Sequence, residues 1–315
     1  MLKLKLFGPG EASFYDQRLE GFPYQQVYLL FCYLLINKGK THHRERLATV
    51  FWGDYPSLTA RKYLRNTLYR LRQTLDGVGA ESSQYFNITE DNVAFNSTSP
   101  YWLDIESFDT ITSSYRHYKA EDFLPEQADE LGKCVDLYTG DLLESVYEDW
   151  CLYDRERLRL AYLDALNKLM MYMAAHGEYD HGIQYGERIL VLDPARENVH
   201  RQMMVLHWLV GDRFSALVQY KRCAQILREE MGIDPMGETR ILYEQMVHNQ
   251  FQPNLTPDGY ILSTASDAPP LYTVTDLELI LHSLSNLEQE AIRLNQEIQQ
   301  IQSLIQQLLS KNSAQ

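Results

Sequence analysis

Between Ser57 and Leu75 the chain carries five Lys/Arg and no Asp/Glu. At about 100° per residue, Ala60, Leu64, Leu68, Leu71 and Leu75 fall on one side of a helix. Lys62, Arg65, Asn66, Tyr69 and Gln73 fall on the other. Lys and Arg donate to guanine O6 and N7, and Asn and Gln pair both ways with adenine on the major-groove edge. Tyr69 can reach a phosphate or pack on a sugar or thymine methyl. These five are the candidate base-contacting residues, with double-stranded DNA as the implied partner. Arg61, Arg70 and Arg72 flank them. Thr41, Arg44 and Arg46 stand at the start of the preceding helical pattern, where backbone amides and cations meet phosphate. These six are the candidate phosphate contacts.

The charge distribution agrees. The chain has 315 residues and a net charge of -14, which argues against a uniformly basic coat. Residues 1–80 nevertheless hold 12 Lys/Arg and 6 Asp/Glu, net +6, while residues 81–315 are net -20. A basic head on an acidic body fits one domain meeting a polyanion while the rest is repelled by it.

The elements that position these residues can be read from pattern. Leu2–Phe7, Glu11–Tyr15 and Arg18–Phe22 alternate like short strands separated by turn residues. Helical patterns follow at Gln25–Asn37, at His43–Phe51 with Thr41 as N-cap, and at 57–75 with Ser57 or Thr59 as cap. His42-His43 is expected as an exposed pair. Tyr85–Thr89 and Val93–Asn96 flank Glu90-Asp91-Asn92 as a hairpin. Sheet, three helices and hairpin within 1–100 make a winged helix, a relative of the helix-turn-helix. The acidic hairpin tip should stay out of a minor groove, leaving a short wing with little DNA contact.

From 101 to 248 the pattern is nearly all helical: Ile105–Lys119, Pro125–Tyr138, Glu148–His176, Tyr179–Leu192, Glu197–Val210, Arg213–Met231 and Glu238–Val247. Gly177 and Gly211 are 34 apart and each separates two helices. At the same offset Gly182 matches Ala216 and Ile183 matches Leu217. That is a degenerate tetratricopeptide period, whose stacked helix pairs leave a concave side for partners. Residues 249–275, with Pro253, Pro257, Pro269 and Pro270, read as a linker. In 276–310, Leu277, Leu284, Ala291, Ile298 and Ile305 take a positions, and Ile280, Leu287, Leu294, Ile301 and Leu308 take d positions. A 3.5-residue apolar period over five heptads predicts a coiled-coil helix that oligomerises the chain. The fold class is thus mainly α with a small β component: winged helix, tetratricopeptide-like bundle and C-terminal coiled coil.

Enzymatic chemistry finds little support. There is no phosphate-binding loop, His-Glu-x-x-His, nucleophile elbow or Cys/His zinc spacing. No catalytic residue, metal or cofactor is expected. The longest unbroken apolar run, Val27–Ile36, is half of what a membrane span needs. The N-terminus lacks a signal-peptide pattern, and Cys32, Cys134, Cys151 and Cys223 read as reduced core thiols, so a cytoplasmic location is expected. The competing functional reading is a tetratricopeptide-like adaptor or signal-sensing scaffold whose winged helix makes protein contacts.

Specific residues resemble a known family. Arg44-Glu45-Arg46-Leu47-Ala48, Phe51-Trp52-Gly53-Asp54, Ala60-Arg61-Lys62-Tyr63-Leu64-Arg65, Leu68, Leu71-Arg72 and Leu75 resemble the OmpR-like winged helix of SARP-type transcriptional activators. Tyr101-Trp102-Leu103-Asp104 with Phe108 resembles the junction that follows it. Leu137-Tyr138-Thr139-Gly140-Asp141-Leu142-Leu143, Trp150 and Glu229-Glu230-Met231-Gly232-Ile233-Asp234-Pro235 resemble the bacterial transcriptional activator domain. The resemblance covers about residues 1–248. It implies binding at promoter repeats, recruitment of RNA polymerase and activation of nearby genes.

Overall fold

The computed structural model describes residues 1–15, 17–19 and 25–253, all within one compact unit. The predicted coiled coil, from Leu277 to Leu308, lies outside the described residues.

The chain opens with strands β1 (Leu2–Lys5), β2 (Glu11–Phe14) and β3 (Gln17–Arg18). The strand expected at 18–22 pairs only over Gln17–Arg18, and 20–24 lie outside the described residues. Helix α1 (Gln25–Ile36) buries Val27 and every residue from Leu29 to Leu35. Such a helix is apolar nearly all round because it packs on several sides at once. Next come β4 (His42–His43), α2 (Arg44–Trp52) and α3 (Ser57–Gly77), then the short α4 (Ser82–Tyr85), β5 (Phe86–Ile88), β6 (Asn92–Phe95) and β7 (Tyr101–Leu103). Among the described residues two sheets result, with strand orders β3-β2-β1-β7 and β4-β6-β5.

Three local expectations need correction. Thr41 does not cap α2: β4 intervenes, and His43 is the N-cap, its Nδ1 accepting from the Glu45 amide at 3.4 Å. His42 is not exposed. Antiparallel pairing of His42 with Val93 turns its ring inward against Tyr33, and burial lowers its pKa. Strand alternation leaves only His43 outside. Neither Ser57 nor Thr59 caps α3. Pro56 does so, its carbonyl accepting from the Thr59 and Ala60 amides.

The helical part comprises α5 (Asp104–Ser114), α6 (Pro125–Val135), α7 (Asp149–Ala175), α8 (Tyr179–Leu192), α9 (Glu197–Leu209), α10 (Arg213–Met231) and α11 (Gly237–Val247). Helices α5 and α6 stop short of their predicted ends. Tyr115 closes α5, a 3-10 turn follows at Ala120–Asp122, and Asp136 closes α6. The 34-residue period corresponds to real packing. A Cβ on Gly182 would come within 3.3 Å of Leu206 and of the Met170 carbonyl, and one on Gly186 within 2.2 Å of Met203 Sδ. The matching Ala216 is fully buried. Small residues at these crossings let α8 lie close to its neighbours. Between the repeats, His200 is buried with Nε2 2.8 Å from the Pro194 carbonyl and Nδ1 2.8 Å from Gln219 Nε2. Burial lowers its pKa, so the neutral ring donates on one side and accepts on the other. The four cysteines are buried and unbridged.

Head and bundle share structure. Strand β7 pairs in parallel with β1, and Leu6 and Phe7 each donate a backbone amide to the buried Asp104 carboxylate at 2.8 and 3.0 Å. The Gly8 amide donates to the Asp141 carbonyl and the Leu143 amide to the Leu6 carbonyl. Phe7 packs on Phe108 and Tyr138, and Trp150 packs on Tyr33 and Phe51. At Gly140 an added Cβ would lie 3.0 Å from the Gly8 Cα, so a side chain there would press the two backbones apart.

Candidate nucleic-acid interface

The interface is built on α3. Its inward side buries Ala60, Leu64, Leu68, Leu71 and Leu75, as the periodicity requires, and also Thr67. Lys62, Arg65, Asn66, Tyr69 and Gln73 are all exposed and lie within an arc of about 100° at 3.6 residues per turn. Tyr69 is 61% exposed, and Gln73 Nε2 donates to its hydroxyl at 2.7 Å. This bond fixes two donor-acceptor groups one turn apart. Lys62, Arg65 and Asn66 make no hydrogen bond or ion pair among the described residues. Their donors face water, so engaging a ligand breaks no existing contact.

The phosphate candidates divide. Arg46 is exposed. Arg44 is half-buried, its backbone amide donates to the Asp91 carbonyl, and its Nε has no partner among the described residues. Thr41 is exposed before β4 and not at a helix start. Arg61 is ion-paired with Glu45 of α2, which ties the two helices together. Arg72 donates to Ser82 Oγ at 3.4 Å, and Arg70 is exposed. The wing is short: β5 and β6 span three and four residues, and Glu90 and Asp91 project at its tip.

Two features escaped the sequence. The Arg61–Glu45 pair spans 16 residues, beyond any helical spacing rule. Leu58 lies four residues before Lys62 and is 81% exposed on the same face. Its place on the helical wheel was available, but it carries no charge to draw attention. Among the described residues no three His, Cys, Asp or Glu side chains gather as a metal site, and no helix is long and apolar enough to cross a membrane.

Comparison with known proteins accounts for the helical part. Residues 103–247 match the family model of the bacterial transcriptional activator domain. This stretch is a bacterial transcriptional activator domain. Ahead of it lie the two small sheets and helices α1–α3 of the head. It is 26% identical over 251 residues to the regulatory protein AfsR of Streptomyces griseus, covering 78% of this chain and 24% of the relative. It is 22% identical over 250 residues to the transcriptional regulatory protein MoaR1 of Mycobacterium tuberculosis, covering 78% and 79%. The chain thus spans about a quarter of AfsR. Among solved structures it resembles Mycobacterium tuberculosis EmbR, determined with a low-affinity phosphopeptide. The TM-score is 0.60 at 21% identity, over 80% of this chain and 66% of that one. This likeness concerns the fold.

Proposed function

We propose that the protein is a DNA-binding transcriptional regulator of the activating kind. Its winged helix, residues 1–100, lays α3 in the major groove at promoter repeats, and its bundle, 101–248, contacts RNA polymerase. The observation that carries this reading is the outward side of α3 from Lys62 to Gln73, cationic and amide-bearing and without an acid before Asp76 in the last turn, set opposite a fully buried apolar stripe. The family of the bundle supports it. Lys62, Arg65, Asn66, Tyr69 and Gln73 supply sequence preference, while Arg44, Arg46, Arg70 and Arg72 hold register on phosphates. A cytoplasmic location follows from that role.

The test is selection from random duplexes with the full chain, followed by a salt titration. The expected result is one enriched sequence whose affinity falls linearly on logarithmic axes, by roughly 0.9 decade per decade of salt for each phosphate engaged. Selection that enriches nothing would sink the proposal.

The ten-residue apolar seam from Leu277 to Leu308 supports a further part of the reading, a homo-oligomer that couples two heads to two half-sites. Truncation after Asn249 should convert the oligomer to monomer in sedimentation. It should also weaken binding to paired sites far more than to a single site. An unchanged oligomer would assign assembly elsewhere.

A further inference from the structure

We infer that Leu58 reads the 5-methyl group of thymine, so the target site carries a thymine where the first turn of α3 meets the groove. The inference rests on the DNA-binding reading above and adds a residue and a base to it.

Leu58 is the second residue of α3 and is 81% exposed. At 3.6 residues per turn it lies in the same arc as Lys62, Arg65 and Tyr69, about 180° from the line through Thr67 and Ala60. The core beneath α3 is already filled by Ala60, Leu64 and Leu68, each under 5% exposed. Leu58 therefore has no place to turn inward. It forms an apolar knob at the leading end of a polar, cationic face. The N-terminal residues of a recognition helix are those that approach base edges. In the major groove thymine is the base that presents a methyl group, and an apolar side chain is the partner such a group takes. Arg65 and Asn66, two turns further on, offer donors for other edges, so the polar and apolar readers are separated along one helix. Burial of one methyl against Leu58 corresponds to about four-fold in affinity.

The experiment starts from the duplex selected by the full chain. Each thymine is replaced singly by deoxyuridine, which keeps base pairing and removes only the methyl. With the wild-type chain, one or two positions should lose about four-fold. With Leu58→Ala those positions should become indifferent to the methyl, and a fresh selection should lose thymine there. Leu58→Met, which retains an apolar tip, should keep the sensitivity. Equal methyl dependence in wild type and Leu58→Ala at every thymine would overturn the inference while leaving DNA binding intact. Failure of the first selection would instead remove the DNA-binding reading itself. Because Leu58 is exposed, its truncation should leave the circular dichroism and unfolding midpoint unchanged.

Discussion

Replacing Arg65 and Asn66 together with Ala should abolish sequence-selective DNA binding while leaving the protein folded. Each residue is exposed and unpaired among the described residues, so neither loss opens a cavity or strands a buried group. Surface changes of this kind ordinarily stay within about 0.5 kcal/mol of wild-type stability. A good two-point contact to a base is worth about 1–3 kcal/mol of discrimination. Losing two such contacts should lower affinity for the selected sequence by roughly two orders of magnitude, towards the level for random duplex. The phosphate contacts remain, so weak, salt-sensitive association should persist. Competition binding with specific and random duplexes reads both quantities. Retained selectivity would end the assignment of α3 as the reading helix.

The largest effect on stability should come from Asp104→Ala. Its buried carboxylate accepts from the amides of Leu6 at 2.8 Å, Phe7 at 3.0 Å and Ile105 at 2.7 Å. Alanine leaves these donors without their acceptor in a place that water reaches poorly. An unsatisfied buried group costs about 1–3 kcal/mol, so the total should be about 3–5 kcal/mol, a large share of the stability of an ordinary domain. A fall of that size in urea or thermal unfolding is expected, with Asp104→Asn intermediate because one carbonyl oxygen remains. A midpoint equal to wild type would show that the clamp is not needed.

The same group leaves a pH signature. Burial pushes the Asp104 pKa up, against the pull of the Leu6, Phe7 and Ile105 amides and of Lys5. The folded state then holds this proton more tightly than the unfolded chain. Its contribution is fully favourable below the ordinary carboxylate range and is lost as pH rises through the raised folded value. Subtracting the Asp104→Asn pH profile from that of wild type should isolate this slope.

Much of the exposed face of α3 was legible because a helical wheel is a local property. The side on which Lys62 to Gln73 lie follows from where Ala60, Leu64 and Leu68 must go. The repeat in the bundle was legible for a similar reason, since Gly182 and Ala216, 34 residues apart, are both buried. Partnerships between distant residues were not. Thr41 looked like a helix cap because its own neighbours suit one, yet pairing of His42 with Val93 fifty residues later makes that stretch a strand. The same pairing explains why His42 is buried. Arg61 looked available for phosphate, but Glu45 on another helix already holds it. Asp104 stood out only as part of the junction after the head, and its acceptor role depends on amides almost a hundred residues earlier.

Strand β7 has a practical meaning for anyone dissecting the molecule. It lies at the margin of the helical family segment, which begins at residue 103, yet its hydrogen bonds run to β1 at the start of the N-terminal head. A scissor cut at residue 100 would therefore strip the head of its outer strand and leave β1 with a bare, adhesive flank. Fragments meant to isolate the head should end beyond Leu103, carrying a stub of the neighbouring module with them.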